Sequence, residues 1–133
     1  KINSQIKKGE IVNYNKNSIQ GKIHQKKDTI SYELVKEMYL KPKFISTCHA
    51  GGLFGVITAD GKVYPCEILE NKIMGDLREN DMNLIKIWKN NSSNEIKKFI
   101  KDTKCNCTYE CALSYNILGN WKYQTSLIGS LFL

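Results

Sequence analysis

The sequence CHAGGLFGVITADGKVYPC, residues 48–66, decides the fold that we expect for this chain. It contains two short runs of β-prone residues on either side of the pair Asp60-Gly61. Glycine tolerates the positive φ of a tight turn, so an Asp-Gly pair between two such runs predicts a β-hairpin. A hairpin brings its two ends together. Cys48 and Cys66 are therefore expected to be neighbours in space, although residues 49–65 separate them in the sequence.

Outside the hairpin, the chain predicts short elements that are mostly helical. Apolar residues recur at helical spacing, and Ser, Thr, Asp and Gly supply candidate starts and stops. The predicted elements are, in chain order, a weak strand or loop over residues 1–27, a helix from Asp28 to about Leu40, a turn at residues 74–77, a helix around residues 84–88, a helix after the capping candidates Ser92 and Ser93, a helix from Thr108 to Gly119, and an amphipathic stretch over residues 123–133. This pattern predicts a small α+β domain.

The composition is that of one globular domain. The chain has 133 residues, of which 41% are apolar, enough for one modest core. Its net charge of +7 is spread along the sequence, and no basic stretch alternates with aromatic residues, so we expect no nucleic-acid partner. The longest apolar stretch, residues 127–133, is too short to cross a membrane. Because the first thirty residues do not resemble a signal peptide, we expect a cytoplasmic protein without a membrane partner.

Five cysteines carry the functional interpretation: Cys48, Cys66, Cys105, Cys107 and Cys111. Disulfides require an oxidising compartment, and an odd number leaves one thiol over. Structural zinc usually takes paired C-x2-C ligands, whereas the spacings here are C-x17-C and C-x-C-x3-C. An iron–sulfur cluster is wider than a single ion and accepts ligands from distant segments. Ligand chemistry alone therefore favours an iron–sulfur cluster and a zinc site almost equally.

The residues around these cysteines resemble the C-terminal auxiliary-cluster domain of radical SAM enzymes, the SPASM or twitch type. The resemblance covers residues 44 to about 118. It rests on Cys48-His49-Ala50-Gly51, Val56-Ile57, Asp60-Gly61-Lys62-Val63-Tyr64-Pro65-Cys66-Glu67, Met74-Gly75-Asp76-Leu77-Arg78, Ile87-Trp88 and Cys105-x-Cys107-Thr108-x-Glu110-Cys111.

The resemblance implies a [4Fe-4S] cluster, with the hairpin and several short helices gathered around this one metal cluster. Residues 44–133 would form the SPASM/twitch-like domain, and residues 1–43 would be a linker or the end of an absent upstream radical SAM barrel. Such a domain assists electron transfer or substrate positioning in the radical-based modification of a peptide or small molecule. The competing interpretation is a structural zinc-binding module without a redox role.

The same resemblance limits what this chain is expected to do by itself. In the family, the cluster that cleaves S-adenosylmethionine (SAM) is held by C-x3-C-x2-C in the upstream barrel, and this chain lacks that motif. SAM would therefore bind only in the absent barrel, and the chain is expected to be inactive as an oxidoreductase by itself. The implied partners are that barrel, in the same polypeptide, and the substrate.

The resemblance also ranks the candidate ligands. Cys48 and Cys66 match the hairpin ligands, and the late turn supplies the other two, with Cys111 the favoured one. We expect Cys105 and Cys107 to face opposite ways, so that one of them is the spare thiol. We further expect backbone N–H groups of the Gly51-Gly52 turn to donate hydrogen bonds to sulfur and to tune the cluster potential.

Overall fold

The computed structural model describes residues 4–5, 8, 18–41 and 44–132. Contacts divide the chain into two compact units. The central unit is Thr47–Cys107, and the helical unit combines Lys1–Ser46 with Thr108–Leu133. Each unit is described by itself.

The described residues contain five α-helices, one 3-10 helix and a three-stranded antiparallel sheet, which confirms the predicted α+β class. In chain order the elements are α1 (Ile19–Leu40), β1 (Val56–Ile57), β2 (Lys62–Tyr64), β3 (Gly75–Asp76), the 3-10 helix Arg78–Asn80, α2 (Leu84–Trp88), α3 (Asn91–Asp102), α4 (Glu110–Gly119) and α5 (Trp121–Gly129). Among the described residues, no helix is both long enough and apolar enough to cross a bilayer.

The predicted hairpin is confirmed. Strands β1 and β2 pair antiparallel, with Val56 opposite Tyr64. The turn closes through an N–H···O bond from Gly61 to Thr58 at 2.9 Å, and Gly61 has φ +86°. Glycine adopts this left-handed conformation without strain, which is why the Asp-Gly pair marks the turn.

Residues 74–77 were expected to form a turn, and that expectation is wrong. Gly75 and Asp76 form β3, which pairs antiparallel with β2 through Val63 opposite Gly75. The sheet therefore has the order β1-β2-β3, with the hairpin strand β2 in the centre. The sheet packs on Ile87 of α2 at Gly75. An ideal Cβ built at Gly75 would lie only 3.0 Å from Ile87 Cγ2, so the backbone and the isoleucine are in close contact there.

The helical unit is held by an apolar core shared by α1, α4 and α5. Its buried residues are Ile30, Leu34, Met38, Leu113, Ile117, Tyr123 and Leu127. A polar contact adds to this packing, since Lys27 Nζ donates to Ser114 Oγ at 3.1 Å and pairs with Asp28 at 2.9 Å.

The start of α1 differs from the prediction. The helix begins at Ile19, and its N-cap is Ser18, whose Oγ accepts the N–H of Gly21 at 3.0 Å. Asp28 lies inside the helix. The loop or weak strand expected over residues 1–27 is thus wrong from Ile19 onward, and residues 1–3, 6–7 and 9–17 lie outside the described residues. Residues 19–27 contain only two apolar residues, Ile19 and Ile23, which is too few to reveal a helical pattern in the sequence.

Two other helix starts also differ. Asn90 caps α3, so the candidates Ser92 and Ser93 lie inside the helix instead of preceding it. Ser93 is fully buried and donates its hydroxyl to the carbonyl of Ile87 at 2.6 Å. Helix α4 begins at Glu110 without a side-chain cap, so Thr108 is not its N-cap. The last predicted stretch is helical as α5, and Leu133 lies outside the described residues.

Candidate metal centre

Cys48 lies at the entry of a tight loop, residues 48–54. Gly51 donates its N–H to the carbonyl of Phe54 at 2.8 Å, and Gly52 donates to the carbonyl of His49 at 3.0 Å. Gly51 has φ +71°, and a Cβ there would lie 3.4 Å from Pro65 Cβ. The loop that carries Cys48 therefore packs against the residue before Cys66, as the hairpin predicted.

These hydrogen bonds correct one expectation about the loop. The N–H groups of Gly51 and Gly52 donate to carbonyl groups within the loop itself. They are not directed to a cysteine sulfur, as we had expected. The two glycines instead give the loop its shape, which fixes where Cys48 begins.

Trp88 holds the same loop from α2. Its Nε1 donates to the carbonyl of Gly52 at 3.0 Å. The indole also covers Gly55, where an ideal Cβ would lie 2.8 Å from the ring atom Cη2. Helix α2 thus fixes the loop of Cys48 against the hairpin through one hydrogen bond and one close apolar contact.

Cys105 is positioned by the end of α3. Its N–H donates to the carbonyl of Ile100 at 3.0 Å, and the N–H of Lys104 donates to the carbonyl of Lys101 at 3.1 Å. Lys104 has φ +49°. These two bonds and the left-handed residue form a Schellman motif, which places the residue after it at a defined position. The sequence did not predict this helix end, because the left-handed residue of a Schellman motif is usually glycine and here it is Lys104.

Three of the thiols lie on one surface. Cys48, Cys66 and Cys105 are half-buried and pack against the buried apolar cluster of the central unit. The largest fully buried members of this cluster are Met74, Ile87 and Val63. Ligand candidates from the loop, the hairpin end and the end of α3 are thereby brought together, although they are far apart in sequence.

The surroundings of Cys105 disfavour its thiolate form. The pKa of the Cys105 thiol is raised to about 11, first by burial and then by the nearby thiols of Cys48, Cys66 and Cys107. Cys107 thus belongs to the same interacting group as Cys105. Side chains at i and i+2 of an extended chain share a face, so extended geometry gives no reason for these two thiols to face opposite ways. Which of the two is the spare thiol stays a prediction.

The other two candidates differ from this group. Cys111 lies in the first turn of α4, in the helical unit, and is exposed. Its role as a ligand stays a prediction. His49 follows Cys48, and burial lowers its pKa, which favours the neutral imidazole at pH 7.

The donor set fits an iron–sulfur cluster. Across the described part of the chain, no three His, Cys, Asp or Glu side chains converge closely enough to hold a metal ion as they stand. Tetrahedral zinc with bonds of about 2.3 Å would require sulfurs about 3.8 Å apart. A cluster sets its ligands wider apart, and its ligands are cysteine thiolates. Thiols at the edge of an apolar surface suit that group.

A comparison with known protein families concerns the same part of the chain. Residues 48–112 match SPASM, an iron-sulfur cluster-binding domain. The resemblance drawn from the sequence is confirmed over these residues, which we call the SPASM segment. All five cysteines lie within it. The match therefore assigns the segment to iron–sulfur cluster binding. No curated protein and no solved structure matches the chain.

Proposed function

We propose that the SPASM segment binds one [4Fe-4S] cluster and serves as the auxiliary-cluster domain of a radical SAM enzyme. The observation that carries this proposal is the meeting of Cys48, Cys66 and Cys105 on one buried apolar surface, inside the residues that match SPASM. Four cysteine thiolates are the usual ligand set of a [4Fe-4S] cluster. Three of them would come from the loop, the hairpin and the end of α3.

The fourth ligand is Cys107 or Cys111. Cys107 interacts with Cys105 within the central unit. Cys111 is favoured by the family resemblance and is the more exposed of the two. Single substitutions distinguish them, because only the true ligand is required for the full cluster.

The protein residues around the thiols have roles of their own. Val63, Met74 and Ile87 are almost fully buried behind the thiols and exclude water from that side. The Schellman motif and the glycine loop hold Cys105 and Cys48 in place before any metal arrives. When bound, the cluster would supply a group that accepts and donates single electrons. In the proposed enzyme the domain would assist electron transfer to or from a substrate radical, or would help to shape the substrate pocket.

Cluster binding is tested on anaerobically produced protein. We expect brown protein that absorbs near ~400 nm and holds about four iron and four sulfide per chain. Substitution by alanine of Cys48, Cys66 or Cys105 should abolish the full cluster. Of Cys107→Ala and Cys111→Ala, one should abolish it and the other should retain it. Colourless protein with one tightly bound zinc would refute the proposal in favour of the structural module.

The radical SAM context needs a separate test in the natural polypeptide. We expect that polypeptide to hold a second cluster on a C-x3-C-x2-C motif and to release 5′-deoxyadenosine from SAM when it is reduced. Cys48→Ala should then keep the cleavage of SAM and lose the modification of substrate. A natural polypeptide without that motif would remove the radical SAM part of the proposal and leave cluster binding intact.

A further inference from the structure

Strand β1 lies at an open edge of the three-stranded sheet. Among the residues that the structure describes, only β2 pairs with it. Thr58 donates its N–H to the carbonyl of Lys62 at 3.0 Å, in the register that sets Ile57 opposite Val63. Hydrogen-bonded and non-hydrogen-bonded pairs alternate along an antiparallel ladder, so the pair of Ile57 and Val63 is of the second kind. The N–H and C=O groups of Ile57 therefore point away from β2, along the open edge.

The opposite edge of the sheet, at β3, is closed by the chain itself. Leu77 donates its N–H to the carbonyl of Gly61 at 2.9 Å, so the preceding residue, Asp76, turns its backbone groups away from β2. The Asp76 carbonyl accepts a hydrogen bond from Asn80 Nδ2 at 2.8 Å. Proteins protect sheet edges with such covers, with charges or with proline. Residues 55–58 carry neither a charge nor a proline, so β1 has no such protection.

The side chain of Ile57 lies on an apolar face of the sheet. Ile57 is opposite Val63, and Val63 is opposite Gly75, so these three residues share one face. Helix α2 packs on this face through Ile87, next to Gly75. Val63 is fully buried there, whereas Ile57 is 51% exposed. A residue of an added strand opposite Ile57 would place its own side chain on the same apolar face.

Two more apolar side chains lie around Trp88, beside this edge. Leu53, in the loop before β1, is 54% exposed, and Ile85 is 65% exposed. Leu53 follows Gly52, whose carbonyl accepts the Trp88 Nε1–H at 3.0 Å. Ile85 lies one turn before Trp88 on the same side of α2. Open backbone groups beside apolar side chains are the features by which a sheet edge recognises an extended peptide.

We propose that the β1 edge binds an extended peptide segment in which apolar and polar residues alternate. The segment adds to the sheet as an antiparallel strand, and the residue opposite Ile57 exchanges both N–H···O bonds with it. That residue is apolar, because its side chain lies on the face of Ile57 and α2. A second copy of this chain fits less well, since a two-residue strand buries little surface between two folded units. The proposal goes beyond cluster binding and does not rest on it, because no cysteine side chain belongs to this edge.

The open edge is tested by amide hydrogen exchange, measured by NMR on the reduced whole chain. We expect the amide of Ile57 to exchange at least about ten-fold faster than that of Thr58, because only Thr58 donates within the sheet. A protected Ile57 amide in the monomer would overturn the proposal. Protection that rises with protein concentration, together with a dimer in sedimentation, would assign the edge to a second copy and overturn the peptide.

Binding is tested with an acetylated and amidated peptide of about seven residues in which threonine and valine alternate. We expect saturable shifts of the amide signals around Ile57, a dissociation constant of about 0.1–1 mM, and slower exchange of the Ile57 amide. Methylation of the valine nitrogens should abolish binding, because the valine opposite Ile57 is the donor. Methylation of the threonine nitrogens should retain it. Equal binding of the two methylated peptides, or no binding of the parent peptide, would overturn the proposal.

Exposed residues supply variants that keep the fold. Ile85→Ser should weaken binding about five-fold, because it removes an apolar contact. Ile73→Ser is the matched control. Ile73 is 45% exposed but lies just before β3, at the other edge of the sheet, so binding should not change. Equal losses in the two variants would place the peptide away from β1, and dispersed amide spectra verify that both are folded. Iron content is measured separately, so a chain that binds the peptide without iron would refute the proposed function alone.

Discussion

Asn90 connects the start of α3 to the strand region, and its substitution tests the architecture of the central unit. Its Oδ1 accepts the N–H of Ser93 at 2.7 Å, which caps the helix, and its Nδ2 donates to the carbonyl of Met74 at 2.9 Å. Met74 is 1% exposed. Asn83 is a matched control, because its Oδ1 also caps a helix, by accepting the N–H of Lys86 at 3.1 Å, but this bond is exposed.

The expected cost follows from these contacts. Loss of an N-cap costs about 1 kcal/mol, and a buried carbonyl that loses its partner costs about 1–3 kcal/mol. Asn90→Ala should therefore lower the free energy of unfolding by about 2–4 kcal/mol. Asn83→Ala should cost about 0.5–1 kcal/mol. Asn90→Asp keeps the cap and loses the amide donor, so its stability should lie between that of Asn90→Ala and the unsubstituted protein.

The assay is urea denaturation of the reduced, cluster-free chain, followed by tryptophan fluorescence. Trp121 lies in the helical unit and is 82% exposed. In a Trp121→Phe background, Trp88 is left as the reporter of the central unit. Asn90→Ala with a cost no larger than that of Asn83→Ala would refute the double role of Asn90. Full stability of Asn90→Asp would show that the bond to Met74 contributes nothing.

Three further outcomes are expected. Gly55→Ala should destabilise the central unit by about 1–3 kcal/mol, because its Cβ would lie 2.8 Å from both Trp88 Cη2 and the carbonyl oxygen of Tyr64; urea denaturation measures this. Lys104→Gly should stabilise the unit in the same assay by about 1 kcal/mol, because residue 104 has φ +49°. The pKa of Cys105 is raised from 9.0 to about 11, which lowers the fraction of this thiol that is thiolate at pH 8. In the cluster-free protein Cys105 should therefore be alkylated about 100-fold more slowly than an ordinary thiol. Peptide mass spectrometry measures the rate.

Matched measurements make these outcomes decisive. Gly129→Ala is the control for Gly55→Ala: nothing lies within 4 Å of its new Cβ, so it should not destabilise the chain. If Gly55→Ala lowers the stability no more than Gly129→Ala does, Trp88 and Tyr64 do not approach Gly55 closely. Lys101→Gly, inside α3, should destabilise it by about 1 kcal/mol. If Lys104→Gly does the same, residue 104 is not left-handed. For Cys105, an alkylation rate at pH 8 equal to that of a short cysteine peptide would contradict its burial.

The hairpin and the neighbourhood of Cys48 and Cys66 were predictable because their signals are local. The Asp60-Gly61 pair specifies a turn through the conformational freedom of one glycine, and the flanking β-prone residues then pair across it. The order of motifs around the cysteines was specific enough to indicate the SPASM family before any geometry was known. The existence of the later helices was likewise visible in their apolar spacing.

Several features needed distant parts of the chain. Gly75 and Asp76 form a strand because β2 offers its second edge, and a pair of residues carries no strand pattern of its own. Asn90 caps α3 while it binds Met74, which lies 16 residues earlier. Neither contact can be predicted from a short stretch of sequence, because each depends on a residue that becomes a neighbour only when the chain folds.

The cysteines show the same division most clearly. The sequence by itself determined which thiols are available, that Cys48 and Cys66 meet, and the family to which their surroundings point. Only the tertiary structure decided that Cys105 packs against the same apolar cluster as Cys48 and Cys66. The physical reason is that its position follows from where α3 packs and from a left-handed lysine at the helix end. Turn chemistry is local, whereas the packing of a helix against a sheet is not.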